Sequence, residues 1–138
     1  MSDQANDKAI LVLGLGNLLL GDDGFGVHAV RKLADESHRL RARLLEVGTC
    51  ALHFQDEVEQ ADGVIAVDAV QAGGEPGTVY LFDLDQSTND SNRCVSLHDL
   101  GIVGLLALVE PFRRPRTIVV GVEPERTDLT MELTPTVN

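Results

Sequence analysis

At 138 residues and 43% apolar content, the chain can bury one hydrophobic core without disulfides or a structural metal and is too short for a second, so one domain is expected. Eleven basic residues against twenty-two acidic ones give a net charge of −11, a field that repels nucleic-acid phosphates and anionic lipid and excludes both as expected partners. The two cysteines, Cys50 and Cys94, form neither a CxxC pair nor a disulfide framework, which suits a reducing cytoplasm.

Met1 to Lys8 is polar, lacks the basic-then-apolar order of a signal peptide, and reads as a flexible tail (1–8) before one domain (9–138). Ile10 to Leu13 is a continuous aliphatic run ending at Gly14, as in a strand buried on both faces of a parallel sheet. From Phe25 onward, Val27, Val30, Leu33 and Ala34 recur at helical spacing, with His28, Arg31, Lys32 and Asp35 on the other face. The alternation repeats: Leu44 to Val47 as a strand, Cys50 to Glu59 as a helix with Thr49 as its N-cap, and Val64 to Val67 as a strand. Gly73, Gly74, Pro76 and Gly77 make a turn into Thr78 to Phe82, which is placed as an antiparallel edge strand. Ser87 to Asn92 reads as a polar loop, Leu100 to Val109 as an apolar helix and Thr117 to Val122 as the last strand. The longest stretch without a polar side chain, Gly101 to Val109, has nine residues. A membrane helix needs about 20.

Strands separated by helices imply right-handed crossovers, hence a single-domain, three-layer α/β fold: about five strands in a mostly parallel twisted sheet, helices on both faces. With three helices for five strands one face is thinly covered, so an exposed apolar strip is expected over the last strand, filled by a partner or by a segment missing from this chain.

Three positions at strand ends could carry chemistry. The loop Gly14 to Gly24 lies where the first strand gives way to the first helix, the usual ligand crevice of an open sheet. Its GxG, with Glu46 ending the next strand, suggests a nucleotide site, but Leu19 takes the place of the third glycine, and Asp22 and Asp23 at the helix start oppose a phosphate. One carboxylate suffices to cap a helix, so the other is available as a ligand. Asp68 follows the aliphatic run Val64 to Val67 and points into the same crevice, where burial is costly unless it is paired or bound to a cation. His98 precedes an apolar helix that Ser96 or Asp99 can cap, which leaves the imidazole without a structural role; His28 and His53 read as solvated helix faces and His38 as part of a charged helix end. Asp23, Asp68 and His98 stand 45 and 30 residues apart. Two carboxylates and an imidazole suit a borderline divalent metal with open positions, such as Ni²⁺ or Zn²⁺, and neither HExxH nor a nucleophile turn signals ordinary zinc or serine hydrolysis. Arg113, Arg114 and Arg116 form the basic cluster, read as a solvated loop or as a docking point for an acidic partner.

Taken together, Gly14 to Gly26 (GxGNxLxxDDGxG), Val67-Asp68-Ala69, Gly73 to Thr78, Ser96-Leu97-His98 and Leu133 to Val137 resemble the hydrogenase maturation proteases, over Ile10 to Val137. That resemblance implies an endopeptidase of carboxylate or aspartyl type that trims the C-terminal extension of the [NiFe] hydrogenase large-subunit precursor. It implies metal contact by Asp23, Asp68 and His98, the first being glutamate in some members, with nickel arriving on the substrate rather than as a resident cofactor. Asp23 or Asp68 is then the base, and nickel either a Lewis acid or a recognition tag. Gly16, Asn17, Asp22, Gly73 and Gly74 are the implied substrate contacts. Family members continue into a C-terminal amphipathic helix, so that helix is expected to be missing here, in a monomer or weak dimer. A nickel- or precursor-binding chaperone that does not cleave, and a nucleotide-binding regulator, are the alternatives.

Overall fold

The computed structural model describes residues 10–36, 41–84 and 101–138. In chain order the elements are β1 (Ile10–Leu15), α1 (Phe25–Glu36), β2 (Ala42–Gly48), α2 (Gln55–Gln60), β3 (Gly63–Ala69), β4 (Val79–Asp83), α3 (Gly101–Ala107) and β5 (Arg116–Val122). The sheet runs β2-β1-β3-β5-β4. Its first four strands are parallel, and β4 pairs antiparallel with β5 at the edge, as its sequence suggested.

Both faces of the sheet are apolar because consecutive aliphatic side chains alternate across it. Leu11, Leu13, Leu15, Val64, Ala66 and Val119 meet Val58 of α2 and Ile102 and Leu105 of α3 on one face. Val12 and Val67 meet Val30 of α1 on the other, with Leu44, Ile65 and Val120 partly buried around them. Helix α1 sits close because Gly26 has no side chain; a Cβ there would lie 2.0 Å from the Val67 carbonyl oxygen.

On the α1 face, cover gives out toward the edge: Leu81, opposite Val120, is 72% exposed, and Val79, opposite Val122, is 64% exposed. The exposed apolar strip thus lies on the edge strand β4 rather than over the last strand, β5, whose Val119 and Val122 are buried. Its physical origin is that α1 reaches over β1, β2 and β3 but makes few contacts with β4 and β5.

Two expectations are revised. The helix placed at Cys50 to Glu59 begins as a 3₁₀ turn (Ala51–Phe54), and only Gln55–Gln60 is α-helical. Cys50, not Thr49, stands at the N-cap, without a side-chain cap bond, because the chain leaves β2 through Gly48 (φ +61°) into a turn closed by Cys50 N–H on the Val47 carbonyl. Nor do Asp22 and Asp23 begin α1: they lie in a 3₁₀ turn, Gly21–Gly24, ahead of it. No helix among the described residues is long and apolar enough to cross a membrane. The tail, the polar loop 87–92, His38, Cys94 and His98 lie outside the described residues.

Candidate active site

Strand β1 is flanked by β2 on one side and β3 on the other, so successive connections diverge at its C-terminal end and open a crevice there. The chain enters this crevice at Gly16, whose φ of +115° most side chains cannot adopt. A Cβ on Gly16 would fall 1.9 Å from the Asp23 carbonyl oxygen and 3.3 Å from Asp68 Oδ1. Gly16 is therefore the floor on which the first loop and the end of β3 meet, and Asp23 lies near enough to Asp68 for its charge to act on it.

Each of these carboxylates uses one oxygen for the backbone. Asp23 Oδ2 accepts from the Asn17 N–H at 3.0 Å, and Asn17 Oδ1 accepts from the Leu19 N–H at 2.9 Å, folding the loop around Asp23. Asp68 Oδ1 accepts from the Ala69 N–H at 2.8 Å. Asp23 Oδ1 and Asp68 Oδ2 take no hydrogen bond among the described residues, and both are placed to receive a cation or a proton. Asp68 is only 8% exposed. Burial pushes its carboxyl up to about 7, opposed by the Ala69 N–H and helped by the charge of Asp23.

Asp22 does something else. It is fully buried, and its oxygens accept from Glu125 N–H (2.9 Å), Arg126 N–H (3.1 Å), Thr134 N–H (2.8 Å) and the Thr134 hydroxyl (2.8 Å). Burial alone would raise its proton affinity, but these donors outweigh it and hold the carboxyl below its usual range. With both oxygens engaged and no exposed surface, Asp22 does not reach a substrate; the expected contact is replaced by an anchor for the segment after β5. Backbone bonds reinforce that anchor: Gly21 N–H to Thr130 O, Asp22 N–H to Arg126 O and Thr130 N–H to Leu19 O.

Gly16 and Asn17 also border an open cavity of about 220 Å³ with Leu18, Val27, Arg31 and Glu46 among its walls, which neither Asp23 nor Asp68 lines. Glu46, the acidic residue of the nucleotide reading, is paired with Arg31 at 2.6 Å. Gly73 and Gly74 are exposed on the loop leaving β3, and Gly73 is left-handed (φ +83°). The arginine cluster is used locally: Arg114 Nε donates to the Val109 carbonyl, Arg116 pairs with Asp83, and Arg113 lies over the Phe112 ring. His53 is exposed as expected, whereas His28 is half-buried rather than solvated, its Nε2 without a hydrogen-bond partner among the described residues.

Sequence reasoning missed Glu123, which is 6% exposed and accepts three hydrogen bonds. The available signal was a carboxylate directly after an aliphatic strand, the same arrangement that singled out Asp68. Among the described residues no group of three or more histidine, cysteine, aspartate or glutamate side chains is assembled for a metal, and the third candidate, His98, lies outside them.

Residues 27–138 match the family model described as hydrogenase maturation protease. The hydrogenase expression/formation protein HoxM of Azotobacter vinelandii is 39% identical over 121 residues, 84% of this chain and 58% of that protein. Hydrogenase 2 maturation protease of Escherichia coli is 32% identical over 134 residues, 93% of this chain and 80% of that one. Among solved structures, the hydrogenase maturating endopeptidase HybD from E. coli superposes with a TM-score of 0.76 at 30% identity, covering 94% of this chain and 82% of that one. The HybD protease from Thermococcus kodakarensis gives 0.73 at 29% identity, covering 94% and 88%. The chain spans 58% of the length of HoxM and likewise of its Rhodobacter capsulatus and Thiocapsa roseopersicina counterparts. With the family model matching residues 27–138 and relatives 32–39% identical over most of its length, the chain belongs to the hydrogenase maturation protease family.

Proposed function

We propose that this protein is a cytoplasmic endopeptidase that removes the C-terminal extension of the [NiFe] hydrogenase large-subunit precursor once nickel has been inserted. The observation behind this reading is the pair Asp23 and Asp68, converging on Gly16 with one oxygen of each unengaged among the described residues. The donor set suits a divalent ion: two carboxylates near enough for the charge of one to act on the other, one of them buried so that the bare anion is costly. Asp23, Asp68 and His98 are the residues that would touch the precursor's nickel. Nickel held there would supply Lewis acidity and a fixed point for docking the scissile bond.

This chain's own contribution follows from its geometry. Either carboxylate can take the proton of the attacking water through its unengaged oxygen; in the metal-free protein burial favours the protonated form of Asp68, its carboxyl pushed up to about 7. The loop bonds from Asn17 fix Asp23, and the Ala69 N–H fixes Asp68, so little reorganisation is required when the substrate arrives. Gly73 and Gly74 present bare backbone at the same edge for the substrate main chain.

The test is cleavage of nickel-loaded precursor by Asp23→Asn, Asp68→Asn and His98→Ala variants, read by electrophoretic mobility. Loss of at least about a hundredfold is expected for each. Wild-type rate in any one removes that residue from the scheme. Precursor bound without a change in length would instead favour a chaperone that does not cut.

A further inference from the structure

The loop between β3 and β4 leaves the strand that carries Asp68 and exposes Gln71, Gly73, Gly74, Glu75 and Pro76 to solvent. A loop with two adjacent glycines and little burial is expected to sample many conformations. Here the side chain of a single buried residue fixes it at two amides and is itself held by Tyr80 of β4. Glu123 Oε1 accepts from the Ala72 N–H at 2.9 Å, from the Gly74 N–H at 3.0 Å and from the Tyr80 hydroxyl at 2.9 Å. The Glu123 backbone closes the far end of the same loop, donating to Thr78 O and accepting from the Gly77 N–H, both at 2.8 Å. A carboxylate this buried is costly to keep, and among the described residues it has no cationic partner to offset that cost. Thr78 already closes the turn by its own bonds to Glu75 O, so the loop could end without a buried charge. What Glu123 adds is a fixed direction for the Ala72 and Gly74 amides, just beyond the Asp68 end of β3.

We infer that Glu123 is a positioning residue, braced by Tyr80, that holds the Gly73–Gly74 backbone in the shape which receives the main chain of the polypeptide substrate. This rests on the proposed peptidase reading. It explains why position 74 is glycine. A Cβ there would lie 2.1 Å from the Tyr80 hydroxyl, so alanine pushes the phenol away from Glu123. Removing that hydroxyl leaves a ring carbon at 3.3 Å as the next neighbour, a contact that a small shift relieves. Tyr80→Phe removes the same phenol–carboxylate bond, so in that background Gly74→Ala should add little further defect.

The experiment measures KM and kcat on nickel-loaded precursor, together with hydrogen exchange at the Ala72 and Gly74 amides, for Glu123→Gln, Glu123→Ala, Gly74→Ala, Tyr80→Phe and the Gly74→Ala/Tyr80→Phe pair. Glutamine keeps an acceptor oxygen, so it should retain amide protection and a KM within about threefold of wild type. Glu123→Ala and Gly74→Ala should lose that protection and raise KM on the order of tenfold, with kcat within about twofold, the pattern of lost substrate binding. Tyr80→Phe should raise KM in the same direction, and the double variant should be no worse than Gly74→Ala alone. Unchanged exchange and KM in Glu123→Ala, an equal fall of kcat in the alanine and glutamine variants, or a double variant in which the two single effects on KM multiply each overturns the inference. If Glu123→Ala does not fold, the Gly74 and Tyr80 variants decide, since they leave the carboxylate in place. If wild-type protein does not cut the precursor, the peptidase reading fails and the role in it with it, while amide exchange still decides whether the brace exists.

Discussion

Replacing Asp68 by asparagine should make the metal-free protein more stable above neutral pH while abolishing its chemistry. The carboxyl titrates at about 7 in the fold and at 3.8 when unfolded, so between these values the native state binds the extra proton. Stability then falls as pH rises through that window, the reverse of a paired carboxylate. The full span corresponds to on the order of 4 kcal/mol, and the part between pH 5 and pH 8 to about 2.5 kcal/mol. Asparagine keeps an oxygen for the Ala69 N–H bond and carries no charge, so it should escape this loss. Urea denaturation at pH 5 and pH 8 in the presence of a chelator measures the difference. The gap in unfolding free energy between Asp68→Asn and wild type should widen by about 2.5 kcal/mol from pH 5 to pH 8, a large change for a domain stable by roughly 5–15 kcal/mol. A gap that stays constant or narrows refutes the burial argument.

Asp22→Ala should destabilise by about 3–5 kcal/mol, because four donors from the segment after β5 lose their acceptor, and limited proteolysis should then cut near Arg126 to Thr134. The Asp22 carboxyl lies below its ordinary 3.8, so the stability it contributes is complete above that value and is lost as pH falls through the depressed one; acid unfolding of Asp22→Asn should lack this step. Gly16→Ala should cost roughly 1–3 kcal/mol from the left-handed backbone alone and also displace Asp23, so thermal melting should fall along with cleavage; a variant as stable and active as wild type would remove Gly16 as the floor of the site. Over the β4–β5 edge, a hydrophobic dye should fluoresce with wild-type protein and more weakly with Leu81→Ser, and a dye response indifferent to Leu81 would mean the strip is covered in solution.

The parallel strands could be read from the chain because burial on both faces demands aliphatic runs, as in Val64 to Val67 and Ile118 to Val120. β4 was read as an edge because it follows a glycine-rich turn; nothing in Thr78 to Phe82 itself sets its direction. The pairing of Asp23 with Asp68 followed from both being carboxylates at strand ends on one side of the sheet. Asp22 was misjudged for a reason that adjacency hides: in a 3₁₀ turn successive side chains diverge by about 120°, so Asp22 turns into the protein while Asp23 stays at the crevice. Only the fold reveals that Thr134, 112 positions away, is waiting for it. Glu123 escaped notice because a glutamate before a proline reads as a turn, and its three donors come from segments more than forty residues earlier in the chain.

The central claim, that two convergent carboxylates cut a nickel-bearing precursor, is tested most directly by intact-mass spectrometry of the large-subunit precursor during incubation with this protein. A discrete loss of the C-terminal extension from nickel-loaded but not nickel-free precursor, absent with the Asp23→Asn/Asp68→Asn double variant, is the predicted result. An unchanged precursor mass with wild-type protein, or the same mass loss with the double variant, contradicts it.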